Sequence, residues 1–529
     1  AGAGGPLAAV RNGDRIRLSV KNKSIELLLS DQEITNRLSN FTPLQEHKRG
    51  YRALYEQTVL QAPDGCDFDI LTQSGKTKKK GKLMNLFNKL KERAAAGNPI
   101  RVGMIGAGKF GTMFLAQALR IPAIHVVGVV DLNPENAKSN MKLVGWPNEA
   151  LSATSFENAA LSAKTHLSDD WLALIAHPAV DIVIEATGNP LAAVTHCLAA
   201  FEQRKNVINV TVEADAFCGP GLAQKAAEAG VIYSMAYGDQ PALASELVDW
   251  ARTCGFSVVA AGRGHKWLPH FRQSTPDTVW DHWGLTREQA ERGRLNPKMF
   301  NAFLDGSKPA IESAAIANAT GLEAPENGLV FPPGGIDDIP TLMRPKSEGG
   351  QLERKGLVDV VSCLTRDGEQ IPYDIRKGVW VVFEADTEYL KNCFEEYKVV
   401  TDPSGKYMTL YKRWHMIGLE LAVSVASVAL RAEATGTAIC FNADCNAIAK
   451  RDLRIGEILD GEGGYTVSGG LRPAVSSVRE GNVPLGLAHN VPLVKAVKKG
   501  KAITWDDIKI DRTTDAYKLR TQMEEQLLK

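Results

Sequence analysis

Apolar strand-like runs alternate with helix-like segments through the middle of the chain. In residues 100–131 an apolar run leads into Gly106-Ala-Gly108-Lys-Phe-Gly111, a helix-like segment continues to Arg120, and a second apolar run ends at Asp131. Alternation of this kind predicts an α/β fold with a doubly wound, mostly parallel sheet. The later strand-like runs are 181–187, 207–212, 231–235 and 257–261, separated by helix-like segments at 191–203, 221–229 and 242–254.

The glycine-rich turn after the first run has the spacing of a dinucleotide-binding unit. Gly106 permits a tight turn, Gly108 lets the backbone approach a pyrophosphate, and Gly111 lets the helix lie close to the strand. The helix N-terminus, at Lys109 and Phe110, then offers free N–H groups to the phosphates. We predict a Rossmann-type NAD(P)-binding domain at residues 99–261, the alternative being a structural turn that binds no nucleotide.

Polar residues follow the predicted strands where a doubly wound sheet binds its ligands, at the carboxyl ends of the strands. Asp131 follows the second strand and is placed to accept hydrogen bonds from the ribose hydroxyls. The other candidates at these ends are Thr187, Gly188 and Asn189 for the cofactor, and Glu213, Asp239 and Gln240 for the nicotinamide and the substrate.

The flanking regions differ in pattern from this middle part. Residues 14–20 and 25–29 read as two strands, the first half-buried, before a capping box at Ser30 and Glu33. A helix is expected at 49–60 and a turn at Asp64-Gly65. We predict a basic linker and leading helix at 76–98, with Leu86, Phe87, Leu90 and Ala94 on one face of that helix, an α+β substrate and catalytic domain at 262–445, and a small β-rich domain and tail at 446–529.

Composition narrows the class of protein. The formal net charge is +1 and 44% of residues are apolar, so no global field favours nucleic acid or an anionic membrane. The eight cysteines include no CxxC pair, which fits reduced thiols. The apolar stretch 417–430 is too short to span a bilayer and contains Glu420, so a buried core helix is expected. We expect a cytoplasmic protein with a small-molecule substrate and no nucleic-acid or membrane partner.

Hydride transfer to a ketone needs a group that stabilises the developing oxyanion and a source of a proton. Lys266 and Lys308 are the candidates, with surface lysines as the alternative for each. Asp305 shares a stretch with Lys308, and helical spacing predicts Lys308 and Glu312 on one face, as an ion pair or a site pair. Glu213 and Asp239 are the acids expected to face the reacting groups, holding a substrate hydroxyl or a divalent cation (Mg²⁺ or Mn²⁺). No residues are assigned as the ligands of this cation. If the substrate is phosphorylated, the nearest basic cluster, and so the expected phosphate site, is Arg263, His265, Lys266 and Arg272.

Two stretches near the N-terminus, GGPLAAVRNGDRIRLSV and RGYRALYEQTVLQAPDGCDFDIL, resemble the C-terminal end of dihydroxy-acid and sugar-acid dehydratases. The resemblance covers residues 1–75. The body of such an enzyme, with its iron–sulfur cysteines and magnesium ligands, is absent from this sequence, and Cys66 is not a cluster ligand by this match. We therefore predict a dehydratase-like fragment without dehydratase activity.

Residues 84–529 carry stretches such as IGAGKFGTMFLAQ, YGDQPALASELVDWA, NAFLDGSKPAIESAAIANATGL and AKRDLRIGEILDGEGG. They resemble homoserine-dehydrogenase-like oxidoreductases that end in an SAF domain, above all 1-deoxy-D-xylulose 5-phosphate reductoisomerase-like enzymes. The resemblance implies NADPH, a phosphorylated ketose, a divalent cation and a place in isoprenoid precursor synthesis. Residues 449–459 and 494–508 resemble the two halves of the SAF domain.

Several alternatives stay open at this point. Asp131 favours NAD, since a carboxylate repels a 2′-phosphate, whereas the resemblance implies NADPH. The first function expected is that of an NAD(P)-dependent oxidoreductase most like the reductoisomerase-like enzymes. A dehydrogenase of a sugar acid or branched polyol is a second function, and a non-catalytic nucleotide-binding sensor is a third. A homodimer is the expected assembly.

Overall fold

A computed structural model describes residues 6–22, 24–41, 55, 59, 85–293 and 295–529, and the chain divides into two compact units, Ala1–Met84 and Asn85–Lys529. The expected helix at 49–60 (apart from the isolated positions 55 and 59), the Asp64-Gly65 turn and the basic run 76–82 lie outside the described residues.

The first unit contains the expected hairpin and the helix that follows it. Strands β1 (Ile16–Ser19) and β2 (Ser24–Leu27) pair antiparallel, and α1 spans Asp31–Ser39. The Ser30 side chain accepts a hydrogen bond from the Glu33 backbone N–H at 3.3 Å, the first half of the expected capping box. The expectation of a half-buried first strand is wrong, because Leu18 is 72% exposed within the described part of this unit.

The second unit begins with α2 (Leu86–Ala95), which buries Leu90. Phe87, which the sequence places on the same face as Leu90, is 56% exposed. A helix this short, with one buried residue, covers only a narrow stripe, and Phe87 lies outside it.

In the described part of the chain, a six-stranded parallel sheet has the order β5-β4-β3-β6-β7-β8. The order reverses between β3 and β6, and ligands of doubly wound sheets bind in the crevice at that point. Continuous apolar runs form these strands because both faces are covered by helices. The strands are β3 (Ile100–Ile105), β4 (Ile124–Val130), β5 (His166–Ser168), β6 (Ile182–Glu185), β7 (Asn206–Asn209) and β8 (Tyr233–Met235). The helices are α3 (Lys109–Ala118), α4 (Pro134–Leu143), α5 (Phe156–Ser162), α6 (Trp171–Ala176), α7 (Pro190–Glu202), α8 (Val212–Ala229) and α9 (Gln240–Thr253).

This sheet and the mixed region after it confirm the predicted fold class. One detail is wrong: the strand-like run 257–261 does not extend the parallel sheet. It is part of β9 (Ser257–His265), which lies in a mixed sheet of order β10-β9-β11-β12. β9 pairs with strands more than ninety residues later, a partnership that strand–helix alternation does not encode. The other strands are β10 (Leu357–Ser362), β11 (Val379–Glu384) and β12 (Tyr407–Lys412).

One helix of this region, α13 (Ser307–Thr320), is buried along almost its whole length. Small side chains such as Ala310, Ala314 and Ala317 let it pack against α8, α9 and the C-terminal strands together. Its first turn therefore lies where three parts of the second unit meet. The neighbouring helices are α10 (Val279–Trp283), α11 (Arg287–Arg292), α12 (Pro297–Leu304), α14 (Ile339–Leu342), α15 (Glu388–Glu396) and α16 (Ala422–Arg431).

Residues 443–529 form a module of short strands and end in a helix. β13 pairs with β15 and β14 with β16, and a bridge between Leu453 and Val497 joins the two halves compared above with an SAF domain. The elements are β13 (Ala443–Ala449), β14 (Ile458–Asp460), β15 (Val467–Pro473), α17 (Ala474–Arg479), β16 (His489–Pro492) and α18 (Asp515–Leu527).

The apolar stretch 417–430 contributes to α16, whose Val425, Ala426 and Val428 are buried, as expected of a core helix. Among the described residues, none of the helices has the length and apolar character needed to cross a membrane.

Candidate active site

The glycine-rich turn has the geometry that its sequence predicts. Gly106 has φ +94°, and a Cβ there would lie 2.6 Å from the Ala186 carbonyl oxygen. A Cβ on Gly111 would collide with the Met104 side chain and lie 2.5 Å from the Gly106 oxygen, so only glycine lets α3 lie this close. A Cβ on Gly108 would meet nothing within 4 Å, which leaves open space above the turn.

The helix that follows the turn has no side-chain cap. Gly108 is the N-cap residue of α3, so the N–H groups of the first turn, at Lys109 and Phe110, have no capping side chain. An uncapped helix N-terminus beside open space suits a pyrophosphate. These residues fit the dinucleotide that the family of the turn implies.

Asp131 is fixed at the rim of this turn. One carboxylate oxygen accepts a hydrogen bond from Ala107 N–H at 2.9 Å, and the other accepts one from Asn133 N–H at 3.0 Å. The side chain is half-buried, and carboxylate oxygens can each accept more than one hydrogen bond. Asp131 can therefore still accept hydrogen bonds from a ribose.

The turn after β6 is held by a buried acid that sequence reasoning missed. Glu185 is fully buried and accepts hydrogen bonds from the Thr187 hydroxyl at 2.5 Å and from the Thr211 hydroxyl. The Thr211 hydroxyl in turn accepts a bond from Gly188 N–H at 3.0 Å, and Asn189 caps α7. The backbone at 187–189 is thus positioned next to Gly106. A glutamate ending an apolar strand was the available signal.

Lys308 and Glu213 form an ion pair at the carboxyl ends of the parallel strands. The Lys308 ammonium lies 2.5 Å from a Glu213 carboxylate oxygen, and the two side chains are 17% and 11% exposed. Lys308 starts α13, and Glu213 is in the first turn of α8, directly after β7. The pair is therefore accessible from one side and supported by two buried helices.

The charges around Lys308 favour its protonated form. Burial would lower the pKa of Lys308, but the nearby carboxylates of Glu213, Asp239 and Glu462 outweigh it and raise that pKa. Burial raises the pKa of Glu213. A permanent ammonium in a largely dry site is suited to stabilise negative charge on a substrate oxygen.

The expected pairing of Lys308 with Glu312 is wrong. Glu312 pairs instead with the buried guanidinium of Arg263 in β9. Lys308 is in the first turn, where its side chain reaches Glu213, whereas Glu312 lies one turn deeper. Helical spacing places both on one face but does not identify the partners that other elements supply.

Asp239 and Gln240 follow β8, where topology placed them. Asp239 is 5% exposed and caps α9, accepting a hydrogen bond from Gln240 N–H at 2.9 Å. The Gln240 side chain is 1% exposed, and its amide nitrogen has no hydrogen-bond partner in the described part of the chain. A buried donor of this kind is available to a ligand.

Lys266 is engaged away from these acids. Its ammonium donates to the His282 carbonyl at 2.6 Å and lies 5.5 Å from the centre of the Trp283 ring. Burial lowers its pKa. Among the described residues, Lys308 pairs with Glu213 whereas Lys266 forms no ion pair with Glu213 or Asp239, so the geometry favours Lys308 of the two candidate lysines.

Asp305 is also occupied. It is fully buried, pairs with Lys450 at 2.6 Å, and accepts a hydrogen bond from Ser307 N–H at 2.9 Å. Burial raises the pKa of Asp305. Asp305 therefore connects the start of α13 to the C-terminal module, and these contacts give it a structural role.

The cluster expected to bind phosphate is largely committed to internal contacts. Burial lowers the pKa of Arg263 to about 9, and burial together with Arg263 lowers that of His265 to about 3, so His265 is neutral. His265 Nε2 lies 2.5 Å from the Phe303 carbonyl oxygen. The Arg272 guanidinium lies 5.4 Å from the centre of the Trp267 ring.

Two further histidines, His489 and His415, were not singled out from the sequence. His489 lies 2.8 Å from Glu462, and both belong to the C-terminal module. His415 lies 2.6 Å from the Lys377 carbonyl, and burial lowers its pKa, with Asp239 and Arg263 close enough to influence it. Their positions depend on packing between residues far apart in the sequence. In the sequence, the glycine-rich motif DGEGG around Glu462 was the one feature that could have drawn attention to this turn.

Neither a metal-binding cluster nor the cavity beside α8 changes this assignment of the site. Across the described ranges, no group of three or more His, Cys, Asp or Glu side chains is arranged to hold a metal ion. A cavity of about 700 Å³ is lined by parts of α8, α18 and residues 434–441, and it reaches Val231 and Ile232 at the amino end of β8. It lies at the strand end opposite to the site residues.

Three family models match separate parts of the chain. Residues 100–213 match "Oxidoreductase family, NAD-binding Rossmann fold", and residues 238–421 match "Oxidoreductase DRL, catalytic domain". Residues 1–66 match "Dihydroxy-acid/6-phosphogluconate dehydratase C-terminal", which confirms the dehydratase-like fragment.

Curated relatives of the chain include dehydratases that match about an eighth of its length. The L-arabonate dehydratase of Azospirillum brasilense is 47% identical over 78 residues, 13% of each chain. The dihydroxy-acid dehydratase of Aquifex aeolicus is 41% identical over 67 residues, 12% of each chain. The chain therefore spans only about an eighth of the length of these relatives.

Two solved structures illustrate a distant similarity. An NAD-binding oxidoreductase from Klebsiella pneumoniae is 15% identical with a TM-score of 0.27, covering 59% of this chain and 66% of that one. Myo-inositol dehydrogenase from Lactobacillus casei, in complex with NAD(H) and myo-inositol, is 15% identical with a TM-score of 0.24, covering 35% and 52%.

The two oxidoreductase models fall on the glycine-rich turn and on the region that holds Asp239 and Lys308. They confirm, at the level of enzyme class, the expectation of an NAD(P)-dependent oxidoreductase with a Rossmann fold.

Proposed function

We propose that the second unit catalyses hydride transfer between NAD(P) and a C–OH or C=O carbon of a small polar substrate. The observation that carries this proposal is the Lys308–Glu213 ion pair at the same sheet edge as the glycine-rich turn. The turn binds the pyrophosphate, Asp131 binds the ribose, and Lys308 stabilises the oxygen on which negative charge develops.

A chain of contacts supports placing cofactor and ion pair in one site. Gly106 packs against Ala186 and Thr187, Gly188 donates to Thr211, and Thr211 immediately precedes α8 and Glu213. These residues end adjacent parallel strands. A nicotinamide extending from the turn across this edge would approach the Lys308 ammonium.

A hydroxylated substrate suits the side chains around Lys308. Glu213 and Asp239 accept hydrogen bonds, and the amide nitrogen of Gln240 donates one. A sugar acid or branched polyol therefore fits the second function considered above. The dehydratase-like fragment, similar to an L-arabonate dehydratase among others, is consistent with that substrate class.

Reductive isomerisation of 1-deoxy-D-xylulose 5-phosphate to 2-C-methyl-D-erythritol 4-phosphate is the competing reaction. The resemblance of residues 84–529 supports it. The side chains support it less, since Arg263 is paired with Glu312 and the ammonium of Lys266 is bound by a carbonyl. The SAF assignment, isoprenoid synthesis and the divalent cation rest on the same resemblance.

The test follows the absorbance of reduced nicotinamide. Purified protein is mixed with NADPH or NADH and 1-deoxy-D-xylulose 5-phosphate, and in the reverse direction with NADP⁺ or NAD⁺ and a panel of sugar acids and polyols, each with and without Mg²⁺. We expect turnover with a sugar acid or polyol. Turnover with the ketose phosphate alone would establish the reductoisomerase, and cofactor binding without any turnover would favour the sensor. The size of the purified protein in solution tests the expected homodimer.

A further inference from the structure

The C-terminal module places a glycine-rich turn against α12, the helix that precedes the one carrying Lys308. Residues 460–464 pack on α12, where Asn301 donates a side-chain hydrogen bond to the Gly463 carbonyl at 2.9 Å. A Cβ on Gly463, which has φ +67°, would collide with the Lys298 carbonyl. Glycine at this position therefore lets the turn reach the helix.

The same module also holds the start of α13. Lys450 pairs with Asp305 at 2.6 Å and donates to the Gly464 carbonyl at 2.7 Å. Gly469 N–H donates to the Ser307 hydroxyl at 2.8 Å, one residue before Lys308. Buried contacts thus fix the 460–464 turn and the first turn of α13 relative to each other.

This turn carries Glu462, and Glu462 is paired with His489. The two side chains are 2.8 Å apart and are 17% and 20% exposed. Burial would raise the pKa of Glu462, but the hydrogen bond and charge of His489 and the charge of Lys308 lower it. Glu462 is among the carboxylates that raise the pKa of Lys308, so its charge lies close enough to interact with that ammonium.

Reduction of a C=O group also needs a proton donor, and Lys308 is poorly suited to that role. A lysine whose pKa is raised holds its proton near neutral pH, where it stabilises charge rather than exchanging protons. His265 is neutral, with its pKa lowered to about 3, and burial lowers the pKa of His415. Histidine paired with a carboxylate is the side chain suited to proton exchange near neutrality.

The remaining charged groups on the packed elements have other partners. Lys298 donates to the carbonyl of Asp460, whose carboxylate accepts backbone hydrogen bonds from Tyr465 and Thr466. Lys450 and Asp305 pair with each other. The charged groups that interact with Glu462 besides His489 are therefore Lys308 and Glu213.

We propose that His489, oriented by Glu462, is the proton donor and acceptor of this active site, supplied by a module outside both oxidoreductase matches. In the reductive direction, hydride from the reduced nicotinamide forms the new C–H bond, and the C=O π electrons move to oxygen. The His489 imidazolium gives its proton to that oxygen, becomes neutral and is reprotonated from water. Lys308 stays charged throughout. The inference rests on the proposed function.

The first test needs no substrate. Protein labelled with ¹³C at histidine Cε1 is titrated by NMR, and the His489 signal is assigned with His489→Gln. Glu462→Gln should lower the midpoint of the His489 titration, because it removes the partner that stabilises the imidazolium. Lys308→Met should raise that midpoint, because it removes a nearby positive charge.

Glu480→Gln is the matched control, since Glu480 is an exposed glutamate of the same module that pairs with Arg472 at 2.8 Å. It should leave the His489 midpoint unchanged. An unchanged midpoint in Lys308→Met, with cofactor binding intact, would overturn the proposal whatever the substrate proves to be.

The second test uses a substrate that the nicotinamide assay identifies. In the reductive direction, kcat/KM of the wild type should fall as pH rises through the His489 titration, and His489→Gln should lower kcat by about 10²-fold or more. Glu462→Gln should move this alkaline limb to lower pH. Turnover by the wild type with an unaltered pH profile in His489→Gln would overturn the inference and leave the proposed function standing.

Discussion

At the scale of single residues, the account depends on partners that lie far apart in the sequence. Lys308 and Glu213 are 95 residues apart and form one ion pair, while Lys266, the other lysine proposed from the sequence, is bound to a carbonyl. Which lysine faces the carboxyl ends of the strands is decided by the packing of α13.

Asp131 gives the first prediction, on cofactor choice. Its carboxylate repels a 2′-phosphate, so Asp131→Ser should shift the NADPH-to-NADH affinity ratio towards NADPH by about tenfold, a change of about 1.4 kcal/mol. Fluorescence titration of both reduced cofactors measures it. Asp249→Ser, at an exposed position of α9, is the control. An unchanged ratio would show that Asp131 does not face the ribose.

Asp359 gives a prediction on pH. Burial raises the pKa of this carboxyl to about 7, and Oδ1 accepts hydrogen bonds from Val330, Phe331 and Val360 N–H, whereas Oδ2 has no partner in the described part of the chain. The ordinary pKa of this carboxyl is 3.8. At a pH above that value the unfolded chain has lost the proton, whereas the folded state still holds it. Stability from this group is present at low pH and is lost as pH rises towards 7.

Asp359→Asn keeps the accepting oxygen and removes the titration. Between pH of about 5 and 8, the free energy of unfolding of the wild type should fall by about 3 kcal/mol more than that of the variant. Denaturant unfolding at the two pH values measures this difference. Parallel changes in both proteins would contradict the raised pKa.

At the scale of elements, two glycines of the glycine-rich turn have different roles, one in cofactor binding and the other in folding. Gly108→Ala should fold normally, because its Cβ meets nothing within 4 Å, yet weaken NAD(P)H binding by about tenfold or more where the pyrophosphate approaches. Gly111→Ala should lower the melting temperature, since its Cβ collides with Met104.

Binding titrations and thermal unfolding of both variants test this contrast. Gly219→Ala, in α8 and with its nearest atoms 3.7 Å from the added Cβ, is the control. If Gly108→Ala binds the cofactor as the wild type does, the phosphates do not approach the turn.

The elements also show what the sequence could and could not predict. Apolar runs and the glycine spacing predicted the parallel sheet and the cofactor turn, because both are local patterns. β9 was assigned to the wrong sheet, since its partners β10 and β11 come much later in the chain. Glu462 and His489 were missed for the same reason, as neither carries a motif that points to Lys308.

At the scale of the whole molecule, the chain joins an oxidoreductase to a dehydratase-like fragment. The two compact units divide between Met84 and Asn85. Removing residues 1–84 should leave NAD(P)H binding and turnover within about twofold of the full chain, because every site residue lies in the second unit. A large loss in the shortened protein would show that the fragment supports the site. The full chain should show no dehydration of sugar acids.

The central claim is that Lys308 stabilises charge during hydride transfer. Its most direct test compares wild type and Lys308→Met by nicotinamide absorbance with a substrate identified in the panel, and by fluorescence titration with NADPH and NADH. Lys225→Met is the control, because Lys225 forms a 2.9 Å pair with Glu228 on the surface of the helix that carries Glu213. We predict that Lys308→Met binds the cofactor normally and loses turnover by about 10²-fold or more, while the control keeps both. Full turnover in Lys308→Met would contradict the account.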